Sequence, residues 1–194
     1  MMSVITVAAI LNRWRGILAL DRTQPILPLR QGIPEQQTHD YIRHGTTSLF
    51  AALEVATGKV TADACYPRHT NVEFLAFLKL VAKAHPRVRL CVICDNYATH
   101  THPRVTAWLD KNARVTLHFT PTSCSWLNMV EIFFGIITRQ AIRRGTFTDV
   151  AELQTAIRTY IDSYNERATP FSWTKTAEEL LGKIKRKSIN NTPH

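Results

Sequence analysis

The sequence predicts an α/β domain: a mixed sheet with helices on both faces. Three observations predict it. Two strand-like runs, Thr46 to Val55 and Thr57 to Thr61, meet at Gly58, whose tolerance of positive φ suits a tight hairpin turn. Val88-Arg89-Leu90-Cys91-Val92-Ile93-Cys94-Asp95 is a nearly unbroken apolar run rich in branched residues, the pattern of a strand buried on both faces. Helical patterns lie on either side of that strand, and hairpins that lead into βαβ units give a mixed sheet.

Residues 1 to 20 hold an apolar run, Val4 to Leu11, a basic interruption, Asn12-Arg13-Trp14-Arg15, and a second run from Gly16 to Leu20. A first strand is expected here, although run and length fit a helix equally well. Between Asp21 and Asp40, Pro25, Pro28, Gly32 and Pro34 exclude a long regular element. Thr70 and Glu73 form a capping box ahead of Phe74, Phe77, Leu78 and Val81, which share one helical face. The chain then enters the strand at 88–94. Pro103 opens the next helix, with Val105, Trp108 and Leu109 inward, and Val115 to Phe119 forms another strand. Trp126, Met129, Val130, Phe133, Phe134 and Ile137 are spaced as a buried helical stripe. At about 100° per residue, Glu131 falls away from that stripe, on the side of Asn128, Gly135 and Thr138. A last helix from about Thr148 turns Val150, Leu153, Ile157, Tyr160, Ile161 and Tyr164 inward. The sheet is therefore expected to have five strands.

At 194 residues, 45% of them hydrophobic, the chain suits one well-buried domain. No apolar run approaches the roughly 18 residues of a membrane span, and Met1 to Leu11 lacks a basic leader and a cleavage site. A cytoplasmic location is expected. Lys and Arg number 24 against 15 Asp and Glu, a net charge of +9 that suits a polyanion, with nucleic acid first among them. Cys65, Cys91, Cys94 and Cys124 have no disulfide-framework spacing, so reduced thiols are expected.

Asp95 ends the central strand, where open α/β sheets bind ligands, so it can hold a metal or substrate. Taken alone, it reads first as a strand-end or helix-cap aspartate. Glu131 changes the balance. If its helix packs across the sheet, the two carboxylates meet at the carboxyl end of strand 88–94. Two hard oxygen ligands suit magnesium, and paired ions about 4 Å apart activate an attacking oxygen and stabilise a leaving one. Arg139, Arg143 and Arg144 follow Glu131 and can hold a phosphate backbone. Cys91-x-x-Cys94 with His100-x-His102 imitates a zinc set, but residues three apart on a strand face opposite sides, so buried small hydrophobes are the expected role. His100 lies in the turn after Asp95, either near the metal or as a cap or solvent-facing residue, and Lys183 to Lys187 reads as a solvated tail.

Asp95-Asn96-Tyr97-Ala98-Thr99-His100, and His118 through Ser125-Trp126-Leu127-Asn128-x-Val130-Glu131, closely resemble the second and third acidic motifs of bacterial insertion-sequence transposases of the mariner-like DDE group. Ala19 to Pro25, His39 to Thr46 and Asn165 to Trp173 also resemble that family. The resemblance implies a ribonuclease H-like fold over residues 16–185, followed by a basic and polar tail at 186–194. It implies cleavage at transposon ends and strand transfer to target DNA, two magnesium or manganese ions, and a homodimer as the active assembly. The protein would then be bacterial, cytoplasmic, and nucleoid-associated when bound to DNA. Asp95 takes the place of the second catalytic acid and metal ligand, Glu131 that of the third. Counting back from Asp21 by the family's spacing puts Asn12 at the first acid, with Arg13 beside it. An amide is a weaker ligand than a carboxylate, and a neighbouring cation opposes the ion. Asp21 and Asp40 lie in motifs that the family carries beside its own first aspartate, so neither is expected to replace it. Residues 1–20 are thus expected to be an atypical or truncated segment, and the site to be impaired. The alternative is a non-catalytic, transposase-derived DNA-binding or dimerisation remnant.

Overall fold

A computed structural model describes residues 4–10, 17–22, 41–120, 129–143 and 145–170. The elements run β1 (Val4–Ile10), β2 (Ile17–Arg22), β3 (Tyr41–Glu54), β4 (Val60–Tyr66), α1 (Asn71–Ala84), β5 (Arg89–Cys94), α2 (Pro103–Asp110), β6 (Val115–Phe119), α3 (Met129–Ile137), a π-helical turn (Thr138–Ile142) and α4 (Val150–Glu166). The expected sequence of hairpin, helix, strand, helix, strand and helices is present. One strand more than expected is found among the described residues.

Five strands form the row β4-β3-β1-β5-β6, antiparallel across β4, β3 and β1 and parallel across β1, β5 and β6. The sixth arises because β3 is 14 residues long. Ser48 to Leu53 of β3 pair with β4, and Ala51 to Glu54 also pair with β1. Its first part, from Tyr41 to Thr47, pairs instead with β2. Residues 42–46 are exposed, so no alternation of apolar and polar residues marks that extension in the sequence. The first apolar segment is likewise two strands, β1 and β2, where one was expected.

Alternation along β3 divides the core. Leu49, Ala51 and Leu53 face one cluster with Val130, Phe133, Phe134 and Ile137 of α3 and Leu153, Ile157 and Ile161 of α4. Phe50 and Ala52 face the other, with Phe74, Phe77, Leu78 and Val81 of α1, Val105 of α2, and Leu90 and Val92 of β5. Helices therefore cover both faces of the sheet. The expected α1 capping box is formed: Thr70 accepts from Val72 N, and the Thr70 N–H donates to Glu73 Oε2 at 2.8 Å. Arg114 closes the other end of α1, its guanidinium donating to the carbonyls of Ala82, His85 and Val88 at 2.6, 2.8 and 3.2 Å. That cation is committed to the fold. No helix among the described residues is long and apolar enough to cross a membrane.

Candidate active site

β5 and β6 run parallel and in step, Cys94 level with Phe119, and the Thr120 N–H donates to Cys94 O at 2.9 Å. Both strands thus end at one edge of the sheet. Asp95 is the first residue beyond β5 at that edge, its side chain 22% exposed. On the other side β1 pairs with β5 in parallel, from Val4–Arg89 to Val7–Val92. Asn12 and Arg144 lie outside the described residues.

Glu131 lies in the first turn of α3, half-buried, while Val130, Phe133 and Ile137 beside it are fully buried. This is the orientation that the helical spacing predicts. Only residues 121–128 separate the edge carrying Thr120 from the start of α3. Ile93, two residues before Asp95, packs on the same cluster as Val130. One turn beyond Glu131, Gly135 faces the Arg139 guanidinium, and a Cβ there would sit in ordinary contact, 3.5 Å from its terminal nitrogen. Arg139 and Arg143 are exposed, on the π-helical turn and at its end. The Arg143 N–H donates to Thr138 O at 2.8 Å, and Thr138 Oγ1 donates back to Phe134 O at 2.5 Å. The wide turn that results re-aims the side chains that follow α3.

His100 is 1% exposed, which corrects the solvent-facing alternative. Its Nδ1 is 2.9 Å from the main-chain oxygen of Asp95 and 3.1 Å from Oδ1. It packs on Phe74, ring centroids 4.2 Å apart. Sequence reasoning missed this pairing, because the signal is the six-residue return from Asp95 to His100 rather than a periodicity. Cys94 is buried, and burial first, then the Asp95 charge, pushes its thiol up to about 12. A thiol that stays protonated is a poor ligand. Among the described residues no group of three or more His, Cys, Asp or Glu side chains could hold a metal ion. Asp95 and Glu131 are hard-oxygen carboxylates, the type of which magnesium takes one or two while keeping waters.

A mixed sheet in this order, helices on both faces and an acid at the end of the strand beside β1 define a ribonuclease H-like domain. Comparison with known proteins narrows the class. The sequence model of the DDE superfamily endonucleases matches residues 18–154, and the chain belongs to that family. No curated protein matches it. Among solved structures it is similar to the Mos1 mariner paired-end complex with Mn, at 14% identity and a TM-score of 0.61, covering 82% of this chain and 48% of that one. It is also similar to the Mos1 strand transfer complex, at 14% identity and 0.59, covering 95% and 52%. The catalytic domain of Mos1 mariner transposase matches at 11% identity and 0.53, covering 61% and 63%. The chain spans about half the length of the transposase chains in the two complexes.

Proposed function

We propose that this chain is the catalytic domain of a DDE transposase, which cleaves DNA at transposon ends and joins the freed strand to a target. The observation that carries the reading is the convergence of β5, β6 and β1 on one sheet edge with Asp95 at it, and α3 opening close behind with Glu131 in its first turn. In this reading Asp95 and Glu131 are the metal ligands and Asn12 stands at the first-acid position. The ions are magnesium or manganese, the latter being the ion in the Mos1 paired-end complex. A divalent ion held there supplies Lewis acidity to the attacking and leaving oxygens of a phosphodiester. Asp95 and Glu131 would fix its position, while Arg139, Arg143 and Arg144 hold the DNA backbone by charge. The likeness to a pre-cleavage transpososome and to a strand transfer complex supports DNA as partner and a multi-subunit assembly, with a homodimer the simplest form.

Asn12 favours a second reading, a remnant that binds DNA without cutting it, because a neutral amide would replace a carboxylate between two cations. A magnesium-dependent nicking assay on a transposon-end duplex separates the two. Cleavage by Asn12→Asp alone shows an otherwise sound site disabled by one lost charge. Cleavage by the chain as it stands shows that the site works without that acid. In whichever form cuts, Glu131→Ala should lower the rate more than about 100-fold, since even the outer-shell partners of a metal ligand cost about 10–100-fold. An unchanged rate would remove Glu131 from the site.

A further inference from the structure

His100 is a buried polar side chain that neither the core nor the charge of the molecule accounts for. Its ring is held by Phe74, with Tyr97 and His69 at centroid distances of 6.0 and 6.1 Å. A phenylalanine would serve such a stack as well. What the histidine adds is Nδ1, 2.9 Å from Asp95 O and 3.1 Å from Asp95 Oδ1. A carbonyl oxygen only accepts, so Nδ1 carries the hydrogen. Local turns deliver the ring to this place: the His100 N–H donates to Tyr97 O at 2.9 Å, and Thr101 Oγ1 donates to Ala98 O at 3.3 Å. Oδ1 is buried and accepts no aligned hydrogen bond among the described residues, so the exposed part of the Asp95 carboxylate is not Oδ1.

We infer that His100 is a positioning residue: its Nδ1–H pins the Asp95 main chain and keeps Oδ1 turned inward, so that the carboxylate offers a divalent ion its other oxygen alone. This rests on Asp95 being a metal ligand. Partners of this kind orient the ligands of metal sites, and their loss typically lowers metal affinity about 10–100-fold. The phenylalanine-like packing and the hydrogen bond are separable by substitution. His100→Phe keeps the stack on Phe74 and removes the donor. His100→Asn loses much of the stack, but its amide nitrogen can stand where Nδ1 does.

The test is manganese binding to the whole chain, read from the paramagnetic resonance of the free ion, beside thermal unfolding of each variant. Asp95→Ala should abolish binding. His100→Phe should unfold cooperatively and bind at least about tenfold more weakly, and His100→Asn should recover most of that loss. A folded His100→Phe that binds like the parent, or a folded His100→Asn as weak as His100→Phe, overturns the inference while leaving Asp95 a ligand. Absence of binding by the parent chain overturns the metal reading and the inference together. Should His100→Phe fail to fold, nitrogen NMR of the parent decides: magnesium should shift the His100 Nδ1 resonance in the parent and not in Asp95→Ala. A parent that binds metal without that shift refutes the positioning role.

Discussion

Asp63 stands on β4 within electrostatic reach of Arg158 and Asp162 of α4 and of Cys65 on its own strand. Burial raises its pKa; Arg158 opposes that rise, and Asp162 adds to it. Because the folded value lies above the unfolded one, the folded chain holds this proton where the unfolded chain has released it. The stability gained from that proton is full below the ordinary carboxylate pKa of about 3.9 and is lost as pH rises through the folded value. At neutral pH Asp63 is therefore a half-buried charge that costs stability. Asp63→Asn, which cannot ionise, should melt at a higher temperature than the parent at pH 7. The difference should shrink as the pH falls towards about 4. A lower melting temperature at pH 7 would mean that the attraction of the Arg158 charge outweighs burial.

Elements whose apolar residues keep a period were legible in the sequence: the α1 box at Thr70 and Glu73, the stripe of α3, and the inner face of α4 at Leu153, Ile157 and Ile161. The first half of β3 was not, because residues 42–46 are exposed and need no apolar alternation. β2, whose Ile17 and Ala19 are buried in the core, reads in the sequence as a single strand with β1. The π-helical turn after α3 escaped for a similar reason, since Thr138 to Ile142 fit an α pattern as well. The place of Asp95 just beyond β5 was legible from the apolar run before it, and Glu131's departure from the buried stripe from periodicity, but His100 required the turn to be seen folded. Asn165 shows how one side chain can fasten two elements. Its amide accepts from Val60 N at 2.8 Å and donates to Val60 O at 2.9 Å, completing a ladder rung at the start of β4 from the end of α4. Nearby, Gly58 has φ +72, and a Cβ there would lie 2.0 Å from Thr169 O, so the chain after α4 crosses the hairpin turn where only glycine fits. Asn165→Ala leaves both main-chain groups of Val60 without this partner and should cost about 1–3 kcal/mol in denaturant unfolding. Gly58→Ala adds left-handed strain of about 1–3 kcal/mol to a backbone clash and should cost more. If Asn165→Ala proved the costlier of the two, the Thr169 crossing would yield easily.

At the scale of the whole molecule the charge of +9 is spread over cations engaged within the fold and cations exposed on its surface. Arg114 is committed to the carbonyls of α1, and Arg158 lies beside Asp63. Arg139 and Arg143 are exposed where the helix that carries Glu131 widens, so in the proposed reading they meet the phosphates that flank the scissile bond. Each phosphate neutralised on duplex DNA contributes about 0.9 to the slope of log affinity against log salt. Binding to duplexes of unrelated sequence, measured from low to moderate salt without divalent ions, should be strongly salt-dependent and nearly indifferent to sequence. Arg139→Ala with Arg143→Ala should lower the slope by about 2, by the same amount on every duplex, because phosphate contacts carry no sequence information. Glu131→Ala should leave that slope unchanged, since a carboxylate releases no counterion from DNA. A double arginine variant with the parent's slope would place the DNA on another face of the domain, away from α3, and would take the proposed role of the arginines with it.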